Sequence, residues 1–172
     1  MKNPGLFFNA DDFEEDDEKN QDADGWKPVR IYGKELFRKS IDVLNITQSI
    51  SDLLSETANA STGRLMMENA SAIPSKIKGA MAVDGIYSVV MEAAVIIKVN
   101  ICQLKDQLWI CSKIHGVEKK YIAILEEEIG LFKALFIKWV NSFDKSQDYP
   151  DDWHLFNNPA DFPDVESDED ED

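Results

Sequence analysis

Cysteine and histidine are scarce in this sequence, which has two of each among its 172 residues. Cys102 and Cys111 fall on one predicted helix, where their spacing places them on opposite faces and about 13 Å apart along the axis. A disulfide bond cannot span that separation. We therefore expect two reduced, buried thiols.

Motifs for metal binding and catalysis are also missing. Glu-x-x-His, which builds metal centres in helical proteins, does not occur, and His115 and His154 fall in a turn and in an acidic segment. The stretch NQDADG at 20–25 resembles the start of a calcium loop, but Ile31 stands where that loop requires a glutamate. The glutamates at 126–128 fan out around a helix and cannot converge on one substrate. The sequence predicts a non-enzymatic protein without a metal or a cofactor.

A secretory signal and an uninterrupted apolar run are absent as well. The first residues, MKNPGLFFNADDF, contain no sustained apolar stretch, so we expect a cytoplasmic protein. The most apolar segment, 93–111, is interrupted by polar residues that are costly in lipid, namely Lys98, Asn100, Lys105 and Asp106. We therefore expect a soluble chain with no membrane span.

Charge is abundant and unevenly distributed. The whole chain has a net charge of -15. Residues 1–28 hold three lysines and nine acids (net -6), and residues 144–172 hold one lysine and twelve acids (net -11). Residues 29–143 keep 14 basic and 12 acidic residues, a net charge of +2. We predict three regions: an acidic N-terminal arm (1–28), a folded body (29–143) and an acidic, aromatic C-terminal arm (144–172).

Helical periodicity dominates the body. Apolar residues recur at steps of three and four over about 33–57, 61–81, 84–113 and 118–142. The predicted buried stripes include Leu53 in the first helix, Leu65 in the second, Leu108 in the third and Ile124 in the fourth. No strand pattern competes with these helices. The sequence predicts an all-α fold, an antiparallel up-down four-helix bundle between mostly irregular arms.

Short turns separate the predicted helices. NASTG at 59–63 is turn-like, and Ser61 or Thr62 can cap the second helix. Asp84 can cap the third helix, and Gly116 suits its C-terminal end.

Pro74 interrupts the second predicted helix without interrupting its apolar stripe. Proline lacks an N–H and crowds the carbonyl four residues earlier, which here belongs to Ala70. We predict a kinked second helix that re-aims the residues after Pro74.

The stretch ENASAIPSKIKGA resembles the second-helix signature of the bacterial four-helix-bundle proteins encoded in 23S rRNA intervening sequences. The order of the third helix, the short glycine-containing turn and the glutamate-rich fourth helix is similar to that family, over about residues 33–142. The resemblance implies a homo-oligomer, typically a pentamer. A related branch of the family serves as the nucleic-acid-binding accessory subunit of retroelement reverse transcriptases.

Two functional hypotheses follow. The first is an oligomeric scaffold that binds a protein partner through aromatic anchors in its acidic arms, with Phe7, Phe8, Trp153 and Phe156 as candidates. Whether these anchors dock on the body or on a partner is left open. The alternative, which the resemblance implies, is a nucleic-acid-associated accessory protein whose weakly basic body is screened by its arms. Its candidate anion contacts are Arg64, Lys76, Lys78, Lys119 and Lys120.

Overall fold

The computed structural model describes residues 26–83, 86–146, 148–149, 153–156 and 158. Four long helices run through these ranges, and no strand occurs in them. They are α1 (Lys27–Ser51), α2 (Arg64–Ala82), α3 (Tyr87–Lys113) and α4 (Lys119–Val140). The prediction of an all-α chain with four long helices is confirmed.

Helix α1 begins six residues before the predicted start at Gly33. Pro28 occupies the first turn, where its missing N–H costs no hydrogen bond. Trp26 and Val29 are buried and hold this turn against the rest of the protein. Burial of these two apolar side chains stabilises the first turn of α1. The folded body therefore includes the segment from Trp26 onward.

Helix α1 also ends earlier than predicted, at Ser51 and not near Thr57. Ser55 has an extended backbone, and its Oγ accepts the N–H of Ala58 at 3.4 Å, which starts a new helical turn, Glu56–Ala58. The side-chain amide of Asn59 donates to the Ser51 carbonyl at 2.7 Å and satisfies the end of α1.

The predicted turn at 59–63 is instead a π-helix, Asn59–Gly63, that leads directly into α2. Neither Ser61 nor Thr62 caps α2. The Ser61 hydroxyl donates to the Thr57 carbonyl at 3.1 Å, and Thr62 bonds His115. The prediction was wrong because a small, polar sequence is typical of turns and gives no signal for a wider helical turn.

The remaining helix ends lie close to their predicted positions. Helix α2 continues through Pro74, which is buried within it. Helix α3 ends at Lys113 as predicted, and Gly116 has a φ of 69°, the left-handed conformation that favours glycine. The predicted cap of α3, Asp84, lies outside the described residues, as do the candidate anchors Phe7 and Phe8.

Packing between the four helices is uneven. Helix α1 packs along both α2 and α4, and α2 packs along α3, whereas α3 and α4 share far fewer contacts. The core is built from side chains of all four helices, the largest of them being Phe37, Phe132, Trp139, Met66, Ile97 and Leu108. The consequence is a helical domain that is open along one side, between α3 and α4.

Three of the stripe residues named above are in fact exposed. Leu53 lies beyond the end of α1, and Leu65 and Ile124 lie about half exposed within the first two turns of α2 and α4. In α4 the buried positions are Ile122, Leu125 and Ile129. The stripe was misplaced because α4 carries apolar residues on more than one face, so periodicity alone does not single out the buried one.

The first residues after α4 contact the start of α3. A carboxylate oxygen of Asp148 accepts the N–H of Ser88 at 3.0 Å, in the first turn of α3, where the side chain of the N-cap residue Ile86 makes no hydrogen bond. The ammonium group of Lys145 lies 5.1 Å from the centre of the Tyr87 ring. The C-terminal arm is therefore tied to the body at its beginning.

Candidate interaction surfaces

The open side between α3 and α4 forms an apolar groove, here called the α3–α4 groove, with a volume of about 570 Å³. Its main apolar lining residues are Ile97 and Ile101 from α3 and Ile129, Phe132, Phe136 and Ile137 from α4. Gly130 also lines it, and a methyl group added there would meet no atom within 4 Å. The volume is in the range of sites that hold small ligands or a few side chains.

Aromatic side chains form the α4 wall of the groove. The rings of Phe132 and Phe136 stack with their centres 6.1 Å apart, and Phe136 lies 6.1 Å from Trp139. Phe143, beyond the helix, meets the Trp139 ring edge to face at 4.7 Å. An aromatic ring from a ligand or a peptide could pack favourably against this wall at similar distances between ring centres.

The rim of the groove is cationic. Lys98 and Lys105 from α3 and Lys133 from α4 line it, together with one acid, Glu126. Among the described residues none forms an ion pair with Lys98, Lys105 or Lys133. These three lysines are here called the cationic rim, and they leave the groove with a surplus of positive charge.

The two cysteines differ in environment, contrary to the expectation that both are buried. Cys111 is buried, and burial raises the pKa of its thiol. Cys102 is exposed and lines the α3–α4 groove. The prediction for Cys102 was wrong because the groove leaves uncovered a face of α3 that a closed bundle would bury.

A second apolar surface lies on the side of α3 that faces away from the other helices. It consists of Val95, Ile96, Val99 and Trp109, here called the outer face of α3, and Trp109 is 60% and Val99 47% exposed. Sequence analysis did not single out this face. The signal was present, because "VVMEAAVIIKVNIC" carries apolar residues on more faces of the helix than one neighbouring helix can bury.

Helix α3 is the one helix in the described ranges that is long and apolar enough to cross a membrane. Its most apolar window has a mean hydropathy of 1.4 and is 33% buried within the protein. One such helix is weak evidence for a membrane span, because core helices of soluble proteins meet the same criteria of length and composition.

The five candidate anion contacts do not form one cluster. Arg64 begins α2 and pairs with Glu68 at 3.4 Å, while Lys76 and Lys78 lie about 18 and 21 Å further along the same helix. Lys119 and Lys120 begin α4. Lys120 pairs with Glu118 at 2.9 Å, and this hydrogen bond raises the pKa of its ammonium group.

One contact brings the start of α2 and the start of α4 towards each other. The Thr62 hydroxyl lies 3.0 Å from Nε2 of His115, in the turn between α3 and α4. Arg64, Lys119 and Lys120 are therefore at the same end of the protein, whereas Lys76 and Lys78 are not. The candidate anchors of the C-terminal arm also differ, since Trp153 is 88% exposed and Phe156 is half-buried.

The described residues contain no group of three or more His, Cys, Asp or Glu side chains that could hold a metal ion. Their most buried ion pair joins Lys39 of α1 to Glu128 of α4 at 2.7 Å. The hydrogen bond to Glu128 and a second one to Asp42 raise the pKa of Lys39. Glu128, one of the three consecutive glutamates, therefore has a structural partner.

Comparisons of the chain with protein-family models, with curated proteins and with solved structures find no match.

Proposed function

We propose that this protein is a non-enzymatic, homo-oligomeric scaffold in which the outer face of α3 packs against another copy of the chain. The observation that carries the proposal is the exposure of Val95, Ile96, Val99 and Trp109 along one helix. Exposed apolar side chains grouped on one helix face in this way are unfavourable in water and are typical of a surface that is covered in the working protein.

The proposed subunit is an antiparallel up-and-down bundle. Three contacts support this arrangement. A Cβ added at Gly33, near the start of α1, would meet Met81 near the end of α2. Thr62, before α2, bonds His115, after α3. The Lys39–Glu128 ion pair joins α1 to α4. Lys39 lies as far after the start of α1, at Lys27, as Glu128 lies before the end of α4, at Val140.

A kink at Pro74 is part of the proposed subunit. The ring of Pro74 removes one backbone hydrogen bond and crowds the Ala70 carbonyl, so the last two turns of α2 tilt relative to the first three. Ile73 and Ile77 are both fully buried on either side of the proline. A bend at this point keeps both residues in contact with the core.

Subunit number and location are parts of the proposal that come from the sequence. The resemblance to the intervening-sequence proteins implies a pentamer, in which each outer face would pack against a neighbouring subunit. A cytoplasmic location is part of the same proposal. The acidic C-terminal arm would then be available to a protein partner.

Nucleic-acid binding is the second candidate function, favoured by the grouping of Arg64, Lys119 and Lys120 at one end of the protein. Two of these three cations already pair with glutamates, Glu68 and Glu118. An oligomer would repeat the group in every subunit and could raise its affinity for phosphates. We place this function second because the cations of a single chain are few and partly neutralised.

The molar mass of the full-length protein in solution tests the first proposal. We expect a multiple of the 19.5 kDa chain mass. Val99→Glu should give the monomer, because a charge in an apolar interface is strongly unfavourable. Ile31→Glu is the matched control, since Ile31 is 49% exposed on α1, away from the outer face, and should leave the mass unchanged. A wild-type mass of one chain at every concentration would refute the proposal.

RNA and DNA binding across a salt series tests the second function. If the charged end binds phosphates, Lys119→Gln/Lys120→Gln should weaken binding and lower its salt dependence, whereas Lys76→Gln, which is distant from that end, should not. The absence of binding by the wild type at low salt would remove nucleic acid as a partner.

A further inference from the structure

We propose that the α3–α4 groove binds the N-terminal segment of the chain itself, with Leu6, Phe7 and Phe8 in the groove and the acids after them along the cationic rim. The proposal rests on the helix arrangement proposed above. It assigns to the groove an occupant of defined chemistry, an acidic peptide with adjacent aromatic residues.

The groove and the segment are complementary in apolar character. Phe132 and Phe136 form an aromatic wall, and Ile97 and Ile101 face it from α3. Phenyl rings inserted between them would gain aromatic contacts as well as burial. In the segment, Leu6, Phe7 and Phe8 are consecutive, so an extended chain lying along the groove would direct Leu6 and Phe8 towards one wall and Phe7 towards the other.

The charges of the segment and of the rim are also complementary. Residues 1–25 hold nine acids and two lysines, and seven of those acids lie within residues 11–18, soon after the apolar cluster. Lys98, Lys105 and Lys133 of the cationic rim have no ion-pair partner among the described residues. Opposite potentials of this kind favour docking of an acidic segment and exclude basic competitors.

The connection is long enough. Trp26 is the first described residue and adjoins the start of α1. The twelve residues between Phe13 and Trp26 can span up to about 40 Å when extended. Ile97 and Lys105 lie about 15 and 27 Å along α3 from its first residue. In the proposed bundle the starts of α1 and α3 are at the same end, so the segment can reach the groove without unfolding α1.

The other acidic arm is a weaker candidate for the same groove. Its described residues are held elsewhere, with Asp148 bonded to the N–H of Ser88. Trp153 and Leu155, the large apolar residues that follow, are 88% and 68% exposed and so are not buried in the groove. We therefore assign the groove to the N-terminal segment.

Cys102 provides a direct readout on the full-length, reduced protein. It lines the groove and is exposed in the structure, whereas Cys111 is buried. Alkylation with iodoacetamide, followed by mass spectrometry, measures the reaction rate at Cys102. Cys102→Ser should show no alkylation on the same timescale and so establishes that Cys111 does not contribute.

We expect Phe7→Ser/Phe8→Ser to raise the alkylation rate at Cys102 by about tenfold. The double variant loses the burial of two phenyl rings in the groove, and this loss weakens docking of the segment by more than that factor. Added salt should raise the rate in the wild type by weakening the acidic contacts with the rim, and should have little effect in the double variant. Phe162→Ser, in the C-terminal arm, is the matched control and should leave the wild-type rate unchanged.

Equal rates in the wild type and Phe7→Ser/Phe8→Ser would overturn the proposal, as would a rise caused by Phe162→Ser. A rise with Val99→Glu but not with Phe7→Ser/Phe8→Ser would assign the groove to a second copy of the chain, and would also overturn it. A monomeric wild type whose Cys102 is still protected by Phe7 and Phe8 would refute the oligomeric scaffold and support this proposal.

Discussion

The junction of α1 with the π-helix allows a quantitative test of the fold. Gly63 is buried where the end of α1 meets the start of α2. A Cβ built there would lie 2.6 Å from Ser51 Oγ and 3.0 Å from Asn59 Oδ1. Both distances are shorter than ordinary van der Waals contact, so Gly63→Ala must displace these side chains. Asn59 is not free to move, because its amide donates to the Ser51 carbonyl.

Three terms set the expected change in the free energy of unfolding. Alanine in a helix is more favourable than glycine by about 1 kcal/mol. Overpacking a buried site costs about 1–3 kcal/mol, and loss of the Asn59 hydrogen bond costs about 0.5–1.5 kcal/mol. We therefore expect Gly63→Ala to destabilise the protein by about 1–3 kcal/mol.

Urea denaturation followed by circular dichroism measures this change, at one protein concentration for all variants because the proposed self-association would contribute to stability. Gly79→Ala is the control, since no atom lies within 4 Å of a Cβ there, and it should stabilise the protein by up to about 1 kcal/mol. Ser51→Ala combined with Gly63→Ala should recover part of the loss, because the closest atom is removed. A Gly63→Ala protein as stable as Gly79→Ala would refute the described packing.

Other predictions concern two polar contacts between distant parts of the chain, the Lys39–Glu128 ion pair and the hydrogen bond from the Ser88 amide to Asp148. Lys39→Met should lower the free energy of unfolding by about 1–3 kcal/mol by leaving Glu128 without its partner, and Lys39→Met/Glu128→Leu should recover most of it, as measured in urea. Since the folded pKa of Lys39 is raised above 10.5, its contribution is complete below pH 10.5 and is lost as the pH rises through the folded pKa. Measurements at alkaline pH should therefore narrow the difference in the free energy of unfolding between the wild type and Lys39→Met. Asp148→Ala should cost about 1 kcal/mol and increase hydrogen exchange at the Ser88 amide, whereas Asp144→Ala should not affect that amide.

Much of the fold could be predicted from the sequence because long helices follow apolar periodicity. The end of α3 at Lys113 and the start of α4 at Lys119 lie within one residue of the prediction. The connection between α1 and α2 could not be predicted, because it depends on Asn59 reaching back to Ser51, a contact that only the folded chain brings together.

The candidate site was predictable only in part. The sequence showed a very apolar third helix, but it could not show that α3 and α4 pack loosely enough to leave a groove. Lys98 and Lys105 could be assigned to the exposed side of a helix, yet their position opposite Lys133 depends on the distance between two helices. Single-sequence patterns specify which face of a helix is apolar and not which neighbour covers it.

The bond between Asp148 and the Ser88 amide links residues that are 60 positions apart in the chain. During synthesis, α3 leaves the ribosome well before the carboxylate that caps it, so its first turn lacks this hydrogen bond until the chain is almost complete. Translation that stops after α4 would produce all four helices and leave the start of α3 frayed. The acidic C-terminal arm thus supplies, near its start, the carboxylate that completes the first turn of α3, and a chain truncated before Asp148 would lack it.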